Sequence, residues 1–294
     1  MRFDYYHEPN DLRECIELLV HYGPEASLLG GGTDIIPKLK SGKVQKKALI
    51  SLGACNELKG IGQDPEGNLI IGSMNTLRDI ASSNLIRDGF EIISKGASTV
   101  SSMQVRNVAT LGGNSCNAAP SADTVPGLIS TEAMTLIKGA KGDRILPLEN
   151  FFESPGKTVL KTGEILLGFR VPAAPPLTGG AYIKYSIRGN TDLAIVGVAT
   201  RLTLDNSHIV RKVRIVLGAV APTPIRVRRA EEMIQDRALD EKTIEEAAKV
   251  AAEESKPISD QRASAQYRRD MVRVCTRNCL KEAFKKASNN LPKK

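Results

Sequence analysis

Ser27-Leu28-Leu29-Gly30-Gly31-Gly32-Thr33-Asp34 is the stretch on which the reading of this chain turns. A short apolar run, Ala26 to Leu29, reads as a strand that passes straight into three glycines, and a helix start follows at Ile35. Glycines let the main chain approach an anion closely, and N–H groups exposed at a helix start attract phosphate without a cationic side chain. The pattern is neither G-x-G-x-x-G nor a Walker A loop. Taken alone it is equally a flexible glycine turn.

A second small-residue segment, Thr110-Leu111-Gly112-Gly113-Asn114, lies about eighty positions on and continues through Cys116, Asn117 and Ser121 to Asp123. Small side chains here would let a flat ring system and a diphosphate press against the main chain. Asn114, Asn117, Ser121 and Asp123 offer hydrogen-bonding groups for ribityl, ribose or ring heteroatoms. Two such segments make a two-sided cradle a better reading than two unrelated surface loops.

Working outward, Leu12, Cys15, Ile16, Leu19 and Val20 follow helical spacing after an Asn10 or Asp11 cap, and Gly23-Pro24 stops the helix. Strands are expected at 26–29, 48–51, 68–72 and 164–171, short helices at 76–81 and 90–98, and a hairpin over 134–147. The stretch 98–122, rich in Ser, Asn, Gly and Ala, reads as a long functional loop. Three prolines and two glycines in 172–180 mark a domain boundary. Beyond it come strands at 181–188, 196–204 and 209–220, the last two joined at Asp205 to His208, then helices at 227–236, 240–255 and 265–288. Strands and helices in separate runs argue α+β, not a doubly wound sheet.

Composition excludes several classes. The 294 residues suffice for a well-buried core, and no apolar run approaches the ~18 residues of a membrane span. The first residues lack an apolar signal core, so a cytoplasmic protein is expected. Cys15, Cys55, Cys116, Cys275 and Cys279 are dispersed, and His7, His21 and His208 lie far apart, so no metal site is expected. The net charge of +8 comes entirely from 256–294, with eleven Lys and Arg against three acids. Arg269, Arg273, Arg277, Lys281 and Lys285 form an i+4 stripe on the last helix, either a solvated face or a dock for an acidic partner subunit. Met271, Cys275 and Cys279 form its packed face. Nucleic-acid binding through the stripe is disfavoured, since aromatic residues make up 4% of the chain and no recognition motif accompanies the charge.

Pro155-Gly156-Lys157-Thr158 carries the G-K-T of a P-loop, but Phe151 stands where the first glycine is required. In the strand at 164–171 Leu166 is a candidate wall for a ring pocket. Lys184, or Arg188, is a candidate cation beside it, although ordinary strand chemistry explains each on spacing alone.

Leu-Leu-Gly-Gly-Gly-Thr-Asp (28–34) with Gln-Val-Arg-Asn-Val-Ala-Thr-Leu-Gly-Gly-Asn (104–114) resembles the FAD-binding subunits of molybdenum hydroxylases. The likeness runs on through 218–226 and 262–268. Cys-Asn-Ala-Ala-Pro-Ser-Ala-Asp (116–123) and Ser-Pro-Gly-Lys-Thr (154–158) look closest to the FAD subunit of bacterial multi-subunit xanthine dehydrogenases. The resemblance implies a PCMH-type FAD-binding domain of two α+β subdomains over 1–175 and a small C-terminal α/β domain over 176–294. Position by position, Ser27, Leu28, Leu29, Gly30, Gly31, Gly32, Thr33 and Asp34, with Thr110, Leu111, Gly112, Gly113 and Asn114, would hold the FAD pyrophosphate and ribityl. Asn117 and Asp123 match further flavin contacts, and Ile165, Leu166 and Lys184 match positions near the isoalloxazine. The family more usually has alanine where this chain has Gly30, a departure that should alter the stiffness of the loop and not its role.

By the same resemblance the chain is an oxidoreductase subunit with no catalytic side chain of its own. The molybdenum cofactor and [2Fe-2S] clusters would sit on partner subunits of a hetero-oligomer, with xanthine as substrate and NAD as acceptor. The alternatives are a nicotinate or other N-heterocycle hydroxylase and a carbon monoxide dehydrogenase type.

Overall fold

The computed structural model describes residues 3–189 and 191–290. Its first unit holds β1 (Tyr5–His7), α1 (Leu12–Tyr22), β2 (Ala26–Leu29), α2 (Ile35–Lys40) and β3 (Ala48–Ser51). The three strands form a parallel sheet in the order β1-β3-β2, with α1 and α2 as the crossovers that parallel strands need. Asp11 caps α1 by accepting from the Glu14 N–H, and the helix ends at Gly23 as the sequence predicts. Its buried stripe of Leu12, Cys15 and Leu19 packs with Ile50 and Leu52 and with Ile165 of the second unit.

The second unit holds β4 (Ile61–Gln63), β5 (Leu69–Gly72), α3 (Leu77–Ser82), α4 (Asn84–Ser98), α5 (Met103–Arg106), α6 (Leu111–Cys116) and α7 (Thr124–Ser130). There follow β6 (Met134–Gly139), β7 (Arg144–Pro147), the small β8 (Phe152–Ser154) and β9 (Lys157–Thr158) pair, and β10 (Glu164–Val171). β10 sits at the middle of an antiparallel sheet ordered β4-β5-β10-β6-β7. Two expectations fail here. The stretch 98–122 is no loop: it folds into α5 and α6, and Ala109, Thr110, Leu111, Gly112 and Ser115 are buried. The helix expected at 90–98 starts earlier, at Asn84, because Phe90 (φ −140°, ψ 39°) kinks one continuous segment and only its second half is strongly apolar. Gly156 and Lys157 belong to the β8–β9 hairpin, with no helix after them, so no P-loop exists there.

The third unit holds β11 (Thr178–Tyr185), β12 (Val196–Leu204), β13 (Val210–Gly218), β14 (Ile225–Arg226), α8 (Arg228–Ile234), α9 (Glu241–Glu254) and α10 (Ala265–Asn289). β11 begins three residues earlier than the expected start at 181. The four strands form an antiparallel sheet in chain order. Its side chains alternate between two cores. Val196, Val198, Leu202, Val213, Ile215 and Leu217 pack under the C-terminal helices, with Cys275 and Cys279 of α10 in the same core. Tyr182, Ala199 and Val216 point the other way and complete the core of the second unit with Ile92 and Val125. The sheet therefore joins the units as well as filling its own.

Three of the five residues in the basic stripe of α10 are answered within the chain: Arg273 and Arg277 pair with Glu245, and Lys281 with Glu241, both on α9. No helix among the described residues is long and apolar enough to cross a membrane.

Candidate functional site

The two glycine segments touch. A Cβ placed on Gly31 would lie 1.8 Å from the Val108 carbonyl oxygen and 2.8 Å from Ala109 Cα, so only glycine lets this turn meet the chain entering α6. Gly30 is more lenient: a Cβ there would stand 3.1 Å from Thr110 Oγ1. β2 is an outer strand, and its residues Ser27, Leu28 and Leu29 are half-buried, as are Gly30 to Thr33; Asp34 is exposed. Among the described residues, the N–H groups of Gly31, Gly32 and Thr33 donate to no protein acceptor. The turn is thus a row of unspent donors leading into α2.

The opposite side has no such surplus. Thr110 caps α6, its hydroxyl accepting from the Gly113 N–H at 3.1 Å. Leu111 N donates to Asn75 O (3.0 Å), Gly112 N to Ser73 O (2.8 Å) and Asn114 N to Thr110 O (2.9 Å). A Cβ on Gly112 would fall 2.5 Å from Ser73 Cβ, so this glycine serves close packing of α6 on the strand end. Gly113, by contrast, is exposed.

Polar side chains then tie the two sides together. Asn117 donates to Asp34 Oδ1 at 3.0 Å and accepts from Lys38 Nζ at 2.7 Å, which links α2 to the end of α6. Asn114 Oδ1 accepts from Thr124 Oγ1 at 2.6 Å. Burial pushes the Cys116 thiol up to about 12, so it is a neutral neighbour at neutral pH.

Asp123 and Lys184 come together from different units. Lys184 Nζ donates to Asp123 Oδ2 at 2.8 Å and to Thr99 O at 2.8 Å, and Tyr182 donates to Asp123 Oδ1 at 2.9 Å. The two charged side chains are 3% and 6% exposed, so the pair is an internal one. Burial raises the Asp123 carboxyl above its ordinary range, against the opposing pull of Lys184 and Tyr182. Burial, reinforced by the Asp123 charge, holds the Tyr182 phenol protonated. Ile165 and Leu166 stand on opposite faces of β10, each in an apolar core: Ile165 with Leu12 and Cys15, Leu166 with Leu69 and Phe169. A bulge follows, and half-buried Leu167 accepts from Ser73 N at 2.8 Å. Arg188 is exposed and paired with Asp192. Among the described residues no group of three or more His, Cys, Asp and Glu is placed to hold a metal.

Residues 1–174 match the family model of the FAD binding domain in molybdopterin dehydrogenase, and 181–283 match the CO dehydrogenase flavoprotein C-terminal domain. The chain belongs to the FAD-binding subunits of the molybdenum hydroxylases. It is 33% identical to the xanthine dehydrogenase FAD-binding subunit of Escherichia coli O157:H7, over 98% of this chain and 99% of that one. It is 30% identical to the carbon monoxide dehydrogenase medium chain of Hydrogenophaga pseudoflava, over 96% and 97%. Among solved structures, carbon monoxide dehydrogenase from the same organism superposes with a TM-score of 0.93 at 31% identity, covering 97% of this chain and 98% of that one.

The residues of this FAD-binding subunit fit a dinucleotide diphosphate. A run of unspent N–H donors, glycine where any Cβ would collide, and Lys38 one helical turn beyond Asp34 together suit a dianionic linker passing along the main chain. Lys38, Tyr182, Leu167 and Ser73 escape a reading of the sequence alone. Lys38 had one available signal, its place one turn after Asp34. The contact of Tyr182 spans 59 positions and has no local signature.

Proposed function

We propose that this subunit holds FAD along the line where the glycine turn meets α6 and relays electrons within a xanthine dehydrogenase-type hydroxylase. Bound FAD supplies the redox centre, which takes up an electron pair and gives it on. Ser27 to Asp34 would hold the pyrophosphate, with the unspent backbone donors of Gly31 to Thr33, and Thr110 to Asn114 would provide a close-packed second wall for the ribityl. Asn117 keeps the two walls in register through Asp34 and Lys38. Asp123 holds the Lys184 ammonium, which would lie toward the flavin ring, and β10, backed by Ile165 and Leu166, would supply an apolar wall for it. The protein's part is placement and electrostatics.

The observation that carries this reading is the unspent donor row at Gly31 to Thr33, in the turn that packs against the chain entering α6. Electrons would arrive from [2Fe-2S] clusters on one partner subunit, reduced by a molybdenum cofactor on another, and leave as hydride to NAD. Full-length likeness to xanthine dehydrogenase FAD subunits favours xanthine. The carbon monoxide dehydrogenase reading is supported by the structural likeness and is the second choice. Anaerobic addition of xanthine to the assembled native complex is expected to bleach the visible flavin band, and NAD to restore it. Bleaching by carbon monoxide or nicotinate but not by xanthine would overturn the substrate assignment. Failure of NAD to restore the band would overturn the acceptor.

A further inference from the structure

Far along α7 from Asp123, the sheet face that meets the second unit ends in a cationic cluster. Arg201 of β12 and Arg214 of β13 stand directly opposite one another in the ladder, and Thr203 and Lys212 form the next pair. Like charges directly opposite on one face cost stability. Burial lowers the pKa of both guanidiniums, so the fold carries an electrostatic load here. Glu132 is the carboxylate in contact with it, accepting from Lys212 and from Arg214 Nη2 at 2.9 Å, while Glu149 and Glu231 act on Arg214 from farther off against the charge of Arg226.

The remaining donors are underused. Among the described residues Arg201 makes one long hydrogen bond, to Thr131 O at 3.3 Å. Arg214 Nε is buried with no partner. Both arginines, Lys212 and Glu132 line a cavity of about 100 Å³, closed on one side by the linker residues Pro172 and Pro175. A water occupies roughly 30 Å³, so the space takes about three waters or one tetrahedral oxyanion. Three cations line the cavity against one carboxylate, an excess that favours an anion, and guanidinium forks match phosphate oxygens in geometry.

We propose that this cavity is a binding site for a dianionic phosphate group, clasped between Arg201 and Arg214 at the seam of the two domains. Inorganic phosphate and the phosphate end of a nucleotide monoester present the same chemistry to it. The site is separate from the flavin cradle, and flavin content is read independently of it.

The test uses the full chain saturated with FAD, so that the flavin's own site is filled. Phosphate, AMP and sodium chloride at matched ionic strength are titrated while thermal unfolding and binding heat are followed. Phosphate is expected to raise the melting temperature saturably where chloride does not. AMP acting at lower concentration than phosphate would assign the site to a monoester, and phosphate acting at lower concentration would assign it to the free ion. Arg201→Gln and Arg214→Gln should each weaken binding by about tenfold or more with flavin content unchanged. Arg201→Lys, which keeps charge and bulk but loses the fork, should fold and still weaken it. A response equal to that of chloride, or an undiminished response in Arg201→Lys and Arg214→Gln, would overturn the proposal.

Discussion

Asp123 shows how much of a site can rest on one carboxylate. Each of its oxygens accepts one hydrogen bond, from Tyr182 and from Lys184, both on β11. A buried pair of this kind adds little to stability while intact, but breaking it strands a charge and costs about 3–5 kcal/mol. Lys184→Met is therefore expected to lower stability at neutral pH by that order in urea unfolding. Burial raises the Asp123 pKa, so protonation favours the folded form, and the deficit of the variant should shrink as pH falls. A deficit that stays constant or grows on acidification would contradict the pairing. The sequence marks Asp123 and Lys184 each as a polar candidate, but not their meeting, because 61 positions separate them. Leu166 was legible as apolar strand chemistry. Which face of β10 it takes depends on packing that alternation alone leaves open.

At the scale of elements, α6 is the instructive case. Gly, Ser and Asn are poor helix formers, so local propensity reads 110–117 as loop. Tertiary partners override it: the Thr110 cap, the Asn75 and Ser73 carbonyls and the close approach of Gly112 together specify one short helix. Thr110→Ala removes the cap and should cost about 1–2 kcal/mol in chemical denaturation, with weaker FAD retention, whereas Thr110→Ser should keep both. Equal stability of the alanine and threonine forms would mean that α6 is held by its neighbours alone. Elements with strong periodicity were legible to within a few residues, among them α1, β10 and α10. β1 was not, since its three residues are mostly exposed and carry no pattern.

The whole molecule is organised by one sheet with two inner faces. Alternate residues of β11, β12 and β13 serve the C-terminal core and the core of the flavin domain. The α+β class was visible from the separate runs of strands and helices. The seam was not, because nothing in a single strand says which neighbour its second face will meet. At one end of the seam Tyr182 and Lys184 hold Asp123, and at the other Arg201 and Arg214 face Glu132. The central claim is that FAD lies where the glycine turn, with its unspent donors at Gly31 to Thr33, meets α6, and the close approach of Gly31 to Val108 is the point at which it is tested. The direct measurement is titration of FAD into flavin-depleted full-length protein, followed by flavin fluorescence, for wild type, Gly31→Ala and Gly62→Ala. A Cβ on Gly62 meets nothing within 4 Å, whereas one on Gly31 would collide with main chain at 1.8 Å. One FAD per chain for wild type and Gly62→Ala, with binding lost in a still-folded Gly31→Ala, is the predicted result. Wild-type protein that binds no FAD, or Gly31→Ala that binds it as tightly as wild type, would contradict the account.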